Sequence, residues 1–194
     1  SEAPEFFFVT ADAYSENFTG FIAFHKDLTS GNYLYLDYDS AQTSDSTYFP
    51  SGAAHADYIK LGSTFADTDE YGFNLRIWAF TGVEGYSKFG KYTGNGSTDG
   101  PFIYTGFRPA FVLWKRATGS SNSWNIMDNK REGYNPQNDL LFPDSSTSES
   151  NVTDQELLSN GFKLRTSGAG RNANNETFIY AAFAESPFKH ANAR

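Results

Sequence analysis

Apolar and polar side chains alternate along several short segments of the chain, and this period of two predicts β-strands. Residues 33–38 alternate in this way, and residues 73–77 place Phe, Leu and Ile on one face with Asn and Arg on the other. Residues 178–183 are apolar at every position, which is typical of a strand buried on both faces. Clusters of Gly, Ser, Asn and Thr separate these segments, so we predict many short strands joined by turns.

The chain contains two related copies of a unit of roughly 100 residues. Residues 4–9 resemble residues 109–114, and residues 75–80 resemble residues 178–183. Weaker matches between these pairs keep the same order, with a near-constant offset of roughly 103 to 106 residues. The shared order and offset indicate an internal repeat rather than a coincidence of composition.

We therefore predict an all-β fold, an antiparallel β-sandwich of the jelly-roll or concanavalin-like kind, built from two sequence-related halves. The first half spans residues 1–88, a connecting seam spans residues 89–108, and the second half spans residues 109–194. We expect the two halves to form one integrated domain. One short helix is predicted at residues 153–161, which begin with a capping box and end with Asn-Gly.

Composition and charge narrow the choice of partners. Hydrophobic residues make up 39% of the 194 positions and aromatic residues 18%, which is enough for a core. A net charge of −8 gives no counterion-release gain on nucleic acid and is repelled by an anionic membrane surface. We expect neither nucleic-acid binding nor membrane insertion. The chain has no cysteine, which removes disulfides, thiolate metal sites and cysteine nucleophiles.

Residues 89–109 are rich in glycine, as phosphate-binding loops are, but the sequence around the glycines does not fit such a loop. No helix pattern follows Gly100, and residues 101–104 read as a strand, so we predict an ordered seam with tight turns. Asp37 and Asp39 share a strand face, as paired hydrolytic carboxylates can, yet we favour a polar strand end as their explanation. No nucleophile, base and orienting group fall together, so we predict a non-enzymatic protein without a cofactor.

An acidic loop is the candidate metal site. Asp67, Asp69 and Glu70 lie close together, and their oxygen atoms suit Ca²⁺. The loop lacks the Gly and the distal Glu of an EF-hand, so we favour a solvated turn over a calcium site.

Exposed aromatic rings are the candidate ligand contacts, because they offer sugar rings a large contact area at a modest entropy cost. The candidates are Trp78, Trp114, Tyr134, Tyr33 and Tyr35. Core packing is the alternative for each of them. Trp78 is the best surface candidate, because its counterpart across the repeat is the small Ala181.

Three segments carry a family resemblance: EGYSKFGKYTGNGSTDGPFIYTGFRPAFVLWKR (84–116), LLSNGFKLRT (157–166) and TFIYAAFAESPFK (177–189). They resemble a domain of bacteriophage tail-fibre and related virion proteins, frequent in marine and cyanobacterial phages and described as concanavalin- or laminin-G-like. The first copy resembles it only in outline, with inserted loops at residues 37–57 and 67–71. The resemblance implies a virion structural or receptor-binding role without catalytic residues, in an oligomer that is often a trimer.

We accordingly expect a non-enzymatic structural or adhesion module on a phage tail fibre or particle surface. It would bind host glycans or neighbouring virion proteins as a homo-oligomer, with many weak contacts multiplied by copy number. A capsid decoration (cement) protein is the first alternative. A glycan depolymerase is the second, and it would depend on Asp37 or Asp69.

Overall fold

The described residues form three antiparallel sheets. The computed structural model describes residues 2–11, 20–65, 74–131, 135 and 137–187, with the backbone alone at 137, 138 and 153. The first sheet has the strand order β4-β3-β2-β1-β5. Its strands are β1 (Phe6–Ala11), β2 (Ile22–His25), β3 (Asn32–Tyr35), β4 (Thr43–Ser44) and β5 (Leu75–Phe80).

The other two sheets come from the rest of the chain. The middle sheet has the order β6-β13-β8-β9, and the third sheet has the order β10-β11-β12-β7. The strands are β6 (Ser87–Thr93), β7 (Phe102–Tyr104), β8 (Pro109–Arg116), β9 (Asn125–Asp128), β10 (Gln137–Leu140), β11 (Ser150–Leu158), β12 (Gly161–Leu164) and β13 (Thr177–Ala184). A bridge between Ile126 and Leu141 joins the middle sheet to the third. The prediction of an all-β antiparallel sandwich is confirmed.

The middle sheet is buried on both faces, and β13 lies inside it between β6 and β8. Ile179 and Ala181 face the first sheet and pack in one cluster with Phe6 and Leu34. Phe178, Tyr180 and Ala182 face the third sheet and pack with residues such as Leu157 and Phe162. This two-sided burial explains why residues 178–183 carry no polar side chain, as predicted.

An irregular segment covers the outer face of the first sheet. Phe7 and Val9 of β1 point to this face and pack against Phe49, Ala53 and Phe65, which lie between β4 and β5. Phe65 ends a single 3₁₀ turn, Ser63–Phe65. The first sheet is therefore enclosed on both faces over most of its area, and its exposed side chains lie at its edges.

The two related halves share a strand order. In the first sheet β1 lies between β2 and β5, and in the middle sheet β8 lies between β9 and β13, which are the corresponding strands of the repeat. The predicted boundary after residue 88 falls inside β6, and the seam also supplies β7, a strand predicted at residues 101–104. The seam thus pairs with strands of the second half. The division into residues 1–88, 89–108 and 109–194 stays a prediction.

The predicted helix at residues 153–161 is wrong, because this segment forms β11 and the turn into β12. Gln155 and Leu157 are both buried, which is the spacing of a strand face and not of a helix. Leu158 pairs with Gly161, so Ser159 and Asn160 form a two-residue hairpin loop and Gly161 begins β12. The one described α-helix, α1 (Ala169–Asn172), is a single turn elsewhere.

Candidate aromatic binding surface

Strand β5 is an edge of the first sheet and pairs only with β1 among the described residues. Residues 76–79 of this strand are all exposed, on both of its faces. Trp78 is the largest of them and is 41% exposed. A large apolar ring kept in water forgoes the stabilisation that burial would give, so its exposure points to a contact surface.

Two phenylalanines extend the indole of Trp78 into a continuous surface, which we call the aromatic shelf (Phe8, Phe21 and Trp78). Phe8 lies directly opposite Trp78 across the β1–β5 pair, with ring centroids 5.0 Å apart and planes inclined by 21°. Phe21 is 37% exposed, and its ring lies 6.1 Å from Phe8 and 6.5 Å from Trp78. These separations are favourable for ring pairs, so the three side chains hold one another in position.

The aromatic shelf exists because the first sheet extends past the layer that covers it. Phe6 and Phe80 lie on the same face, and their ring centroids are 6.1 and 6.3 Å from that of Phe89 in the middle sheet. Trp78 lies two residues before Phe80 and beyond this cover. The same face that forms the core at one end therefore presents aromatic rings to solvent at the other.

Charged groups border the aromatic shelf. Arg76 is exposed and lies two residues from Trp78, on the same face of β5. The Asp37 carboxylate accepts a hydrogen bond from the Phe21 backbone N–H at 3.1 Å. Gly20 has a φ of +88° and a Cβ there would lie 2.5 Å from an Asp37 oxygen, so glycine is required for this approach. Guanidinium donors and carboxylate acceptors beside stacked rings can bind hydroxyl groups.

A buried lysine holds the loop that carries Asp37. The Lys115 side chain is fully buried, and its ammonium donates hydrogen bonds to the backbone carbonyls of Asp39, at 2.8 Å, and of Asn122. Burial lowers the pKa of Lys115 to about 8, against the opposing attraction of Asp144 and Asp39. The ammonium thus ties two loops to β8, which fixes one polar border of the aromatic shelf.

The other predicted aromatic contacts that are described, Trp114, Tyr33 and Tyr35, do not join the aromatic shelf. Trp114 is completely buried between the middle and third sheets, so the alternative interpretation of core packing holds for it. Tyr33 is also buried, and its hydroxyl lies 3.3 Å from that of the half-buried Tyr35 on the same strand. Burial raises the pKa of the Tyr33 hydroxyl. Tyr134 lies outside the described residues.

The candidate calcium ligands Asp67, Asp69 and Glu70 also lie outside the described residues. Within the part of the chain that is described, no three His, Cys, Asp or Glu side chains come together as a metal-binding group. The helices described are all too short and too polar to cross a membrane.

Sequence reasoning missed Phe8 and Phe21. Phe8 belongs to the run Phe6–Phe8, where alternation sends the middle ring to the opposite face, and this pattern was visible in the sequence. The pairing of β1 with β5 brings Phe8 to Trp78, and a pairing between strands so far apart in sequence cannot be read from a local pattern. The aromatic shelf is therefore a product of topology.

A protein-family model described as "Domain of unknown function (DUF7483)" matches residues 1–187. No curated protein and no solved structure matches the chain.

Proposed function

Because the chain belongs to the DUF7483 family, whose description assigns no activity, we propose its function from its own surface: a non-enzymatic adhesion module that binds glycans through the aromatic shelf. The single observation that carries this proposal is the exposure of Trp78 beside Phe8 and Phe21. The setting we propose is a phage particle, on a tail fibre or the outer surface. The resemblance of residues 84–116, 157–166 and 177–189 to virion proteins supports that setting.

The chemistry of the aromatic shelf favours sugars over flat apolar ligands. The C–H face of a pyranose ring can lie on the indole of Trp78, while its hydroxyls reach the charged groups at the border, Arg76 and Asp37. An extended, open surface of this kind suits a polymer chain passing over it. Such contacts are weak singly, so we propose that the protein acts as a homo-oligomer in which several copies engage one polysaccharide.

Binding to immobilised polysaccharides tests the proposal. Wild-type protein and Trp78→Ala are compared on a glycan array and by electrophoresis through gels containing each polysaccharide. We expect Trp78→Ala to weaken binding at least tenfold, which corresponds to about 1.4 kcal/mol. Because Trp78 is an exposed edge residue, the variant should fold, and circular dichroism confirms this.

Tyr58→Ala is the matched control, because Tyr58 is 56% exposed and stacks on His55 rather than on a ring of the aromatic shelf. It should bind as the wild type does. Equal binding by wild type and Trp78→Ala would refute the role of the aromatic shelf. Release of reducing ends from a bound polysaccharide would refute the non-enzymatic proposal and favour a depolymerase.

A further inference from the structure

A second aromatic surface lies where the edge strands β6 and β7 approach each other. Phe102 and Tyr104 are 44% and 58% exposed, while Ile103 between them is buried in the core. Both rings therefore leave the same face of β7 and point away from the third sheet's core. Neither belongs to the aromatic shelf, which is built on the first sheet.

Lys88 of β6 fixes the position of the larger exposed ring. Its ammonium donates a hydrogen bond to the Tyr104 backbone carbonyl at 2.9 Å and lies 5.1 Å from the centre of the Tyr104 ring. A cation at this distance is attracted to the ring face. Tyr104 nevertheless stays more than half exposed, so the rest of the ring is open to a ligand.

Cavities of about 430 and 440 Å³ open on the two sides of this pair, and both are lined by Lys26, Lys88 and Tyr104. Volumes of this size are typical of small-molecule sites. Gly90 lines the second cavity above the Tyr180 ring, where a Cβ would come within 2.8 Å of the Tyr180 hydroxyl oxygen. We call the two cavities and the ridge between them the Tyr104 groove.

The Tyr104 groove is lined by equal numbers of positive and negative side chains. The ammonium groups belong to Lys26, Lys88 and Lys91, and the carboxylates belong to Glu5, Asp27 and Glu84. Lys26 lies 2.7 Å from Glu5, and Lys91 lies 3.8 Å from Asp27. Within a chain of net charge −8, this neutral surface selects neither an anion nor a cation.

We propose that the Tyr104 groove is a second binding site and that its ligand is a neutral oligosaccharide. Each ion pair keeps unused ammonium donors and carboxylate acceptors, which match the donor and acceptor capacity of sugar hydroxyls. The exposed rings of Tyr104 and Phe102 supply apolar contact for the ring C–H groups. A charged sugar that approached either ion pair would meet a like charge beside the opposite one, because Lys26 lies 2.7 Å from Glu5 and Lys91 lies 3.8 Å from Asp27.

The test is carried out in Trp78→Ala protein, so that the aromatic shelf does not contribute. Isothermal titration calorimetry measures binding of neutral oligosaccharides and of uronic-acid and amino-sugar oligosaccharides of matched length. We expect neutral oligosaccharides to bind at least tenfold more tightly than charged ones of the same length. Adding Tyr104→Ala should then weaken neutral binding at least tenfold, and adding Lys88→Met should weaken it less.

Adding Tyr58→Ala to the same background should leave neutral binding unchanged. The proposal is overturned if no neutral oligosaccharide binds, if a charged one binds more tightly, or if Tyr104→Ala has no effect. These results are separate from the test of the aromatic shelf, because that test compares wild type with Trp78→Ala on polysaccharides. Either site can therefore fail while the other stands.

Discussion

Mild acid should destabilise the fold through one buried histidine, His25 of β2. Its Nε2 lies 3.2 Å from the Tyr180 carbonyl oxygen of β13, and its Nδ1 accepts a hydrogen bond from the Asp27 backbone N–H at 3.1 Å. The neutral ring with a proton on Nε2 satisfies both contacts, and a second proton on Nδ1 would break one of them. His25 thus joins the first and middle sheets through Nε2, and it makes both hydrogen bonds only while it is neutral.

Burial lowers the pKa of His25 to about 4, and this effect outweighs the attraction of Asp27, whose carboxylate lies 3.9 Å from Nδ1. The unfolded chain has the ordinary histidine pKa of about 6.5, so it binds the proton more strongly than the folded chain does. The stabilisation that neutral His25 gives the folded state is therefore complete above pH about 6.5 and is lost as the pH falls toward 4. The difference between these two pKa values gives His25 a contribution of about 3 kcal/mol to the free energy of unfolding. About 2 kcal/mol of that contribution is lost between pH 7 and pH 5.

Other groups titrate with different signs or in different ranges. The pKa values of Asp45, Asp99 and Glu176 are lowered by hydrogen bonds from Thr47, Lys163 and Thr118 respectively, so their effects fall mostly below pH 5. Burial raises the pKa of Asp144, which makes acid favour the folded state at that group. A variant that cannot titrate at position 25 isolates the histidine, because these groups are common to both proteins.

The assay is urea unfolding of wild type and His25→Gln at pH 7, 6 and 5. Glutamine retains an amide donor near the Tyr180 carbonyl but does not titrate. Between pH 7 and pH 5, the free energy of unfolding of His25→Gln should therefore fall by about 2 kcal/mol less than that of wild type. His55→Gln is the control, because the His55 side chain is half exposed, and it should follow the wild-type profile. Parallel pH profiles for wild type and His25→Gln would refute the reasoning, as would an NMR titration that places the pKa of His25 near 6.5.

Two further predictions concern the turns that follow β6. Asn172→Asp should destabilise the protein by about 3 kcal/mol in urea unfolding, because a buried carboxylate oxygen would replace the amide nitrogen; the exposed Asn174→Asp is its control. The amide nitrogen of Asn172 contacts three acceptors at 2.7–2.8 Å, namely Asn95 Oδ1, Ser97 O and Thr166 O. Gly94→Ala should cost about 1–3 kcal/mol, because its Cβ would lie 2.2 Å from the Ala173 carbonyl oxygen. Unchanged urea midpoints would contradict either prediction.

The strands that the sequence pattern predicts best are those with an extreme environment. Residues 178–183 could be placed in the interior because both faces of β13 contact apolar layers, and this leaves a continuous apolar run. Residues 102–104 could be assigned to a strand from turn signals on either side. The environment of this second strand is mixed, since Phe102 and Tyr104 are exposed and Ile103 is buried, but in both cases the signal lies within the segment or directly beside it, so a local pattern is enough to identify the strand.

The helix predicted at residues 153–161 shows where local signals fail. Its capping-box spacing is compatible with a helix start, yet the same residues lie on alternate faces of β11, with Leu157 in the core and Glu156 paired to Arg165. The pairing of β11 with β10 and β12 gives this segment backbone hydrogen bonds on both sides. Tertiary pairing outweighed a weak helix preference, which for most residues amounts to less than about 1 kcal/mol each.

Both candidate binding surfaces lie on edge strands, and this position explains why sequence alone could identify only part of each. Trp78 belongs to the edge strand β5, where a face that is core along most of the sheet passes beyond its covering layer, and Tyr104 belongs to the edge strand β7, on the face opposite the core residue Ile103. The type of each aromatic residue can be read from the sequence, and Trp78 stands out there because its counterpart in the repeat is the small Ala181. The end of the covering layer depends on the relative lengths and registers of strands from different sheets. Trp114 has the same side chain as Trp78 yet is fully buried, because β8 lies between β13 and β9. Position in the sheet order, more than residue type, therefore decides which aromatic residues of this chain can contact a ligand.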